Sequence, residues 1–304
     1  MPTKDTFYNV SIISAFPGMG KSYCAAENEK HPVANIFDME SSDYHWIQDT
    51  PESKKELDPR WPDNYINDII AKAVLLCTGQ DGKGGIIFVS SHNEVIEGLS
   101  KIFNDIQYSI EPNGSPINSS AFFLYKEHYI SFGIAVPSSN RLEEFVKFYR
   151  QRGNTEEFIE KLRTNWQPFI DDASNHKYCD AYVIHKGHIG DYLAPYISVR
   201  YGDKDHHNVI LTMGKNTYDE ISFINLINKP LFDSIHTYTI NERFSYNLRQ
   251  FKLMIKNRNR LEDKSRYLYI VELVDGDAAG KFIDMINDDE TYATIYDSCN
   301  FTYV

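Results

Sequence analysis

The sequence of 304 residues has few cysteines and no apolar run long enough to cross a membrane. Its four cysteines lie far apart and form no Cys-x-x-Cys pair, so neither a zinc knuckle nor a disulfide framework is indicated. No apolar stretch approaches the roughly 20 residues of a membrane span, and the first residues lack the pattern of a signal peptide. We therefore expect a soluble cytoplasmic protein with free thiols and no membrane partner.

An excess of basic residues is also absent. The chain carries 31 Lys and Arg against 43 Asp and Glu, a formal net charge of −12, which does not indicate bulk binding to a polyanion. Hydrophobic residues make up 42% of the chain, enough to bury a sizeable core, so a disordered protein is excluded. The length predicts one large domain or two modest ones, and no internal repeat is apparent.

What the sequence does contain is a strand, a glycine-broken turn and a helix in the stretch SIISAFPGMGKSYCAAEN, residues 11–28. Gly18 and Gly20 permit a backbone in which several N–H groups point at one anion, and the helix N-terminus adds partial positive charge. Lys21 supplies an ammonium for the β- and γ-phosphates, and Ser22 supplies a hydroxyl for Mg²⁺. Ala15 replaces the first glycine of the G-x-x-x-x-G-K-[ST] pattern at a position that does not touch phosphate. The predicted phosphate cradle comprises Pro17, Gly18, Met19, Gly20, Lys21, Ser22 and Tyr23.

Strand and helix patterns alternate through the first two-thirds of the chain. Apolar runs predict strands at 9–15, 33–39, 85–90, 130–136 and 181–185. Helical patterns lie between them at 21–29, 64–77, 93–104, 140–152 and 155–171. This alternation predicts an α/β fold with a five-stranded parallel sheet flanked by helices, over residues 1–198 with an insertion at about 106–128.

The pattern changes after residue 198, and residues 199–304 are predicted to form a separate α+β domain of unknown role. Its expected strands are 197–201, 208–213, 235–240 and 267–274, and its expected helices are 220–232, 245–261 and 278–287. Seven basic residues mark the stretch 249–266. They form either a solvated helix face or a contact surface for the phosphates of a nucleic acid or of a bulky substrate, through Arg249, Lys252, Lys256, Arg258 and Arg260.

Five segments of the sequence together resemble those of a known family. They are AFPGMGKSY (15–23), NIFDMESSDYHWI (35–47), RWPDNYINDI (60–69), IIFVSSHNEVIEGL (86–99) and RLEEFVKFYRQRGNTEEFIEKLRTNW (141–166). In order and spacing they resemble the small P-loop nucleotide-kinase-like proteins common in bacteriophages, which are labelled adenylate kinase-like or deoxynucleoside monophosphate kinase-like. The likeness covers about residues 8–197. It implies a P-loop kinase core that uses ATP and Mg²⁺, and the host cytoplasm as location if the chain is phage-encoded.

Carboxylates follow the second predicted strand, VANIFDME. P-loop kinases commonly place an acceptor-binding carboxylate there, so the resemblance makes Asp38 the first choice for general base or for ligand of Mg²⁺-bound water. Glu40 and Asp43 are competitors, and Ser41 is a further candidate for the acceptor side. The alternative is that one or more of Asp38, Glu40 and Asp43 caps the following helix, and Asp43 is the main candidate for that structural role.

The third predicted strand departs from a Walker B strand because it ends in Ser90, Ser91 and His92 instead of a carboxylate. Metal coordination must then draw on a carboxylate from elsewhere, which favours Asp38 with Ser22 as the metal ligands. His92 either contacts the substrate or has a purely structural role at the start of a helix.

Two arginines, Arg150 and Arg152, end the predicted helix after the fourth strand. The resemblance implies that they are mobile arginines that close over ATP, a task that suits the planar and permanently charged guanidinium. The alternative is a surface ion pair with Glu143, Glu144 or Glu156.

We therefore expect an ATP- and Mg²⁺-dependent kinase that transfers the γ-phosphoryl group to a nucleoside, a nucleotide or a nucleotide-like acceptor. One alternative acceptor is the 5′-hydroxyl of a polynucleotide or a modified base in DNA. A different class of function is a nucleotide-binding regulatory module without catalysis. Aromatic residues near the predicted site either stack on a base or belong to the core: Tyr44, Trp46, Trp61 and Tyr65.

Overall fold

The computed structural model describes residues 7–30, 35–47, 56–79, 84–104, 129–176, 180–193, 207–213, 217–232, 234–240, 267–273 and 299–303, with residues 276, 279, 280, 282 and 284. The chain divides into two compact units, Met1–Gly190 and Asp191–Val304. Four sequence predictions lie outside the described residues: the domain boundary after 198, the insertion at 106–128, the strand at 197–201, and the basic stretch 249–266 with the helix at 245–261.

The first unit contains a five-stranded sheet in the order β2-β3-β1-β4-β5. Every pair of neighbouring strands is parallel. The strands are β1 Val10–Ala15, β2 Ile36–Asp38, β3 Gly85–Val89, β4 Ile130–Pro137 and β5 Ala181–Ile184. The prediction of an α/β unit with a five-stranded parallel sheet is confirmed.

Six helices accompany this sheet in the described part of the first unit. They are α1 Lys21–Lys30, α2 Ser42–His45, α3 Asp63–Cys77, α4 Asn93–Asn104, α5 Leu142–Gln151 and α6 Glu156–Ser174. The short α2 was not predicted, and the helix predicted at 140–152 instead consists of a 3-10 turn, Ser139–Arg141, followed by α5. Helix α6 begins after Thr155, whose hydroxyl accepts a hydrogen bond from the N–H of Phe158 as an N-cap. No described helix is both long and apolar enough to span the bilayer.

The core of the first unit explains why the central strands appear in the sequence as continuous apolar runs. Strands β1 and β3 are buried along their whole length, as expected for parallel strands covered on both faces. Val10 and Ile12 of β1 lie in one cluster with Ile87 and Val89 of β3. The buried face of α3 and side chains of α4 complete this cluster, because their apolar residues recur at helical spacing. The sheet is thereby a rigid platform for the turns at its carboxyl edge.

The second unit is also built on parallel strands. Its sheet has the order β7-β8-β6-β9, and all described pairings are parallel. The elements are β6 His207–Met213, α7 Thr217–Asn228, β7 Ser234–Ile240, β8 Tyr267–Leu273 and β9 Cys299–Tyr303. The α+β prediction for 199–304 was therefore wrong, because a short apolar run has the same appearance in a parallel and in an antiparallel sheet.

The two sheets share one topology. When the described strands of each unit are numbered from 1 in chain order, the second sheet has the order 2-3-1-4. The first four strands of the first sheet have the same order. In both units a helix follows the first described strand and begins within similar sequences, MGKSY (19–23) and MGKNTY (213–218), although residues 214–216 lie outside the described part. No repeat was apparent in the sequence, but the described strands of the two units repeat one order.

Candidate functional site

The strand order places a ligand site at the carboxyl end of β1. The chain forms β2 and β3 on one side of β1, and then β4 and β5 on the other side of β1. In open α/β sheets a ligand binds outside the carboxyl ends of the strands, where this reversal of direction leaves a crevice. The turn 16–20 and the first residue of α1 lie at that position.

The turn has the backbone of an anion cradle. Gly18 and Gly20 both have φ of +90°, a region that side chains rarely adopt. A Cβ at Gly20 would lie 3.1 Å from the Cβ of His188, and one at Gly18 would lie 3.0 Å from Cε1 of Phe145. The N–H of Ile189 donates to the carbonyl of Met19 over 3.0 Å. The turn is thus fixed from outside by α5 and by the segment that follows β5.

We expect the Gly20→Ala variant to be less stable by about 1–2 kcal/mol, because the alanine must adopt a left-handed backbone and crowd His188. It should also bind ATP more weakly, since relief of the strain turns the N–H groups away from the phosphates. Gly153→Ala is the matched control, because Gly153 has φ of +82° and nothing within 4 Å of the added Cβ. Urea unfolding and calorimetry with ATP measure both effects. Equal loss of ATP affinity in both variants would contradict the cradle.

Lys21, Ser22 and Asp38 come together behind the cradle. The Lys21 ammonium donates from Nζ to the carbonyl of Ala15 over 2.7 Å. The Ser22 hydroxyl donates to Oδ2 of Asp38 over 2.6 Å. Burial lowers the pKa of Lys21, and the carboxylates of Asp38 and Glu40 oppose that effect. The structure therefore places the three residues predicted for phosphate and metal in one cluster.

The competing carboxylates occupy different positions from Asp38. Oε1 of Glu40 accepts a hydrogen bond from the N–H of Ser42 over 3.3 Å, at the start of α2. Ser41 is buried, and its carbonyl accepts the N–H of Tyr44. Asp43 lies in the first turn of α2, where a carboxylate stabilises the helix. Glu40 therefore makes a backbone contact of the kind that the capping alternative predicts, and Asp43 lies within the helix itself.

Tyr65, one of the four aromatic residues predicted either to stack on a base or to belong to the core, is buried and joins the carboxyl ends of β2 and β3. The hydroxyl of Tyr65 donates to the carbonyl of Met39 over 2.5 Å and accepts from the N–H of Ser90 over 3.1 Å. Burial raises its pKa, so it stays a neutral donor. A tyrosine within an apolar helix pattern signals such a role, because its hydroxyl needs a partner when it is buried.

Ser90 occupies the end of β3, where a Walker B strand has its carboxylate. Its hydroxyl oxygen is buried and has no hydrogen-bond partner among the described residues. Its carbonyl accepts from the hydroxyl of Ser14 over 3.1 Å, which ties β3 to β1. A buried hydroxyl without a partner is costly unless a ligand or a water satisfies it, so this atom fits an occupant at the carboxyl edge.

Four rings form a continuous stack beside this edge. His45 lies between Trp46 and Trp61, with both ring centroids 4.5 Å away and interplanar angles of 3° and 5°. Trp61 stacks in turn on Tyr65 at 5.6 Å. His92 meets His45 edge-on at 5.3 Å. Of the four aromatic residues predicted to stack on a base or to belong to the core, Tyr65 lies in the core cluster, and Tyr44 and Trp61 pack against it. Trp46 stacks on His45, which was not singled out in the sequence.

His92 has both a structural position and a place near the cradle. Its carbonyl accepts the N–H groups of Val95 and Ile96, so it begins α4. Burial is the main cause of the lowered pKa of the His92 imidazole, and the Glu94 carboxylate opposes this effect. The Lys21 ammonium is close enough to lower the same pKa further. The indole N–H of Trp61 donates to Oε1 of Glu94 over 3.0 Å and fixes the rings around it.

The two predicted lid arginines are engaged on the protein surface. Arg150 pairs with Glu156 through Nε–Oε1 and Nη2–Oε2 contacts of 2.8 and 2.7 Å. The guanidinium carbon of Arg152 lies 5.5 Å from the ring centroid of Phe148. The Arg150 pair matches the surface ion pair considered as the alternative. Because exposed pairs contribute little stability, the guanidinium can exchange its carboxylate for a phosphate.

A third arginine, Arg141, was not singled out in the sequence. It is 4% exposed, and its guanidinium donates to the carbonyls of Ile184 over 3.2 Å and Gly187 over 2.7 Å. Its Nε also donates to Glu144 over 2.9 Å. Arg141 thereby fixes the segment after β5 that packs against Gly20. The contact spans 46 residues, so no local pattern could reveal it.

These residues fit ATP and Mg²⁺. The glycine turn provides a cradle that a Cβ would fill, and Lys21 provides a cation beside it. Within the described part of the chain, no group of three or more His, Cys, Asp or Glu side chains could hold a metal ion. Mg²⁺ commonly needs only one or two protein ligands with phosphates and waters, which Ser22 and Asp38 can supply.

No family model, curated protein or solved structure matches the chain. The resemblance to phage P-loop nucleotide-kinase-like proteins therefore stays an expectation. A function has to be argued from the site itself.

Proposed function

We propose that the protein is an ATP- and Mg²⁺-dependent phosphotransferase that phosphorylates a hydroxyl group of a nucleoside-like or nucleotide-like acceptor. The observation that carries the proposal is the 2.6 Å contact of Ser22 Oγ with Asp38 Oδ2, next to Lys21 and the glycine turn. A phosphate cradle, a cation, a hydroxyl and a carboxylate are the groups that phosphoryl transfer requires. Their convergence at the reversal point of a parallel sheet supports this function.

On the donor side, backbone N–H groups of the turn and the N-terminus of α1 bind the phosphate oxygens. Lys21 adds a positive charge at a partly buried position, where electrostatic attraction is stronger than in bulk water. Mg²⁺, when bound, neutralises phosphate charge, and Ser22 and Asp38 are the residues that would hold it. Arg150, in the last turn of α5, and Arg152, just after it, would contribute further charge once Arg150 exchanges its contact with Glu156 for a phosphate.

On the acceptor side, the Asp38 carboxylate takes the proton of the acceptor hydroxyl. Ser22 donates to Oδ2, which leaves Oδ1 as the atom that would accept this proton. Tyr65 ties Met39, the residue after Asp38, to Ser90, and the carbonyl of Ser90 accepts from the hydroxyl of Ser14 in β1, the strand that leads into the glycine turn. These bonds connect the segment of the base to the segment of the cradle. Such preorganisation is the main contribution that a protein makes to phosphoryl transfer.

We expect Ser22→Ala to weaken Mg²⁺-dependent ATP binding by about 10–100-fold, the range seen when a group that supports a metal is removed. The loss arises because the hydroxyl that faces both Asp38 and the phosphates is gone. Ser22→Thr keeps the hydroxyl and should bind like the wild type. Calorimetric titration with ATP, with and without Mg²⁺, measures the difference. Equal ATP affinity in Ser22→Ala and wild-type protein would contradict the proposed metal ligand.

A second candidate function is a nucleotide-binding module without catalysis. The observation that favours it is Ser90 at the end of β3, in place of a carboxylate. Tight ATP binding with neither hydrolysis nor transfer to a broad acceptor panel would support this candidate. Polynucleotide or modified-DNA acceptors stay a prediction, since the basic stretch 249–266 that motivates them lies outside the described residues.

A further inference from the structure

A groove of about 560 Å³ runs along the outer edge of the first sheet. Its walls are α1 and α3, and its floor is β2, the edge strand of the sheet. Ser22 and Asp38 line one end of it, so the groove begins at the cluster proposed to perform phosphoryl transfer. Its volume lies in the range of about 300–1,000 Å³ that is typical of small-molecule sites.

Because of the register between β2 and β3, backbone N–H and C=O groups of β2 face this groove. The N–H of Ile86 donates to the carbonyl of Asn35, and the N–H of Met39 donates to the carbonyl of Phe88. In a parallel pair, alternate residues bond to the same neighbour, so Ile36 and Asp38 direct their N–H and C=O groups to the other side. The floor of the groove therefore offers both donors and acceptors to a ligand.

Most side chains around the groove are apolar, and the charged ones among them are mainly acidic. Glu29, Asp38 and Asp68 contribute three carboxylates, and Lys72 contributes one ammonium, which lies 4.0 Å from the centroid of the Phe37 ring. Carboxylates accept hydrogen bonds from hydroxyl and amino groups. They repel phosphates, because like charges placed side by side are strongly unfavourable.

We infer that this groove binds the acceptor and that the acceptor is an uncharged compound of nucleoside size with several hydrogen-bond donors. Nucleotides and polynucleotides are disfavoured because their phosphates would face the carboxylates. The small side chains of Ala26 and Ala71 leave room for a flat ring between α1 and α3. The inference rests on the proposed function, because Asp38 belongs to both the groove and the reaction.

The first test fills the groove with a tryptophan side chain from one of its walls. Ala71→Trp, and independently Ala26→Trp, should raise the KM for a nucleoside acceptor by about tenfold or more while the Kd for ATP stays unchanged. Lys161→Trp on the exposed face of α6 is the control for a bulky surface substitution. Circular dichroism and the ATP Kd identify a variant that does not fold. If both folded groove variants keep the wild-type KM, the acceptor binds elsewhere and the inference is wrong.

The second test removes negative charge from the groove. With ATP, the wild type should prefer a nucleoside over the corresponding monophosphate by about tenfold or more in kcat/KM. Asp68→Asn combined with Glu29→Gln should reduce this preference at least about threefold, and the exposed Asp172→Asn should not change it. A wild-type preference for the monophosphate or for an oligonucleotide, or an unchanged preference in the double variant, would overturn the inference.

Binding measured without turnover separates this inference from the proposed function. A nucleoside titrated calorimetrically into the full chain should bind to the wild type and at least about tenfold more weakly to Ala71→Trp. If it binds in this way but never receives phosphate, the groove assignment stands and the kinase proposal fails. If transfer occurs and neither groove variant affects it, the kinase proposal stands and the groove assignment fails.

Discussion

The Lys21→Ala variant is expected to lose about 10²–10³-fold in kcat, the effect of removing one preorganised charge at a transferring group. The ammonium is held at the carbonyl of Ala15, at the base of the glycine turn, in a partly buried position. ATP should still bind through the backbone N–H groups of the turn. The loss should therefore fall mainly on kcat, as expected for an interaction made chiefly in the transition state.

The same substitution should not weaken the fold. Burial lowers the pKa of Lys21, so its charged form costs stability at neutral pH. This cost decreases as the pH rises through the lowered pKa toward the ordinary value of 10.5, and it is absent in Lys21→Ala. Thermal unfolding at pH 7 should give a Tm equal to or above that of the wild type. Lys30→Ala, at the exposed end of α1, is the control and should keep full activity. Full activity in Lys21→Ala would contradict the phosphate assignment.

The Asp38→Asn variant should show a loss of about 10²–10⁴-fold in kcat, the range for removal of a general base. Asparagine keeps the shape and can still accept the hydrogen bond from Ser22, but it cannot take a proton from the acceptor hydroxyl. Steady-state kinetics with a saturating acceptor give this effect separately from binding.

The competing carboxylates provide the matched controls for this prediction. Glu40→Gln and Asp43→Asn remove one charge each in the same segment and should retain most of the activity, because neither residue bonds to Ser22. A large loss in Glu40→Gln with an active Asp38→Asn would transfer the role of base to Glu40. Equal small losses in all three variants would contradict a carboxylate base in this turn.

The sheet and the cradle could be predicted because their signals are local. Strands β1 and β3 are buried on both faces and read as short apolar runs between turn residues. Gly18 and Gly20 mark the only backbone conformations in the turn that need glycine, and Lys21 with Ser22 follows at a fixed offset. Asp38 could be proposed because the carboxyl ends of parallel strands meet at one edge.

Features made by contacts between distant residues could not be predicted. The bond of Arg141 to Gly187, the bridge of Tyr65 between Met39 and Ser90, and the stacking of His45 on Trp61 have no local pattern. The groove beside β2 depends on which strand lies at the edge of the sheet, which apolar runs do not specify. For the same reason the parallel sheet of the second unit was missed, because strand direction is set by connections and not by hydrophobic periodicity.

The most direct test of the account is the transfer of label from γ-labelled ATP, with free nucleosides, nucleotides and single- and double-stranded DNA offered in parallel. The wild type should transfer label to an acceptor hydroxyl in the presence of Mg²⁺, with nucleosides preferred, and Lys21→Ala should transfer at least about 10²-fold less. Tight ATP binding with no transfer to any acceptor, or equal transfer by Lys21→Ala, would contradict the assignment of Lys21, Ser22 and Asp38 as a phosphotransferase site.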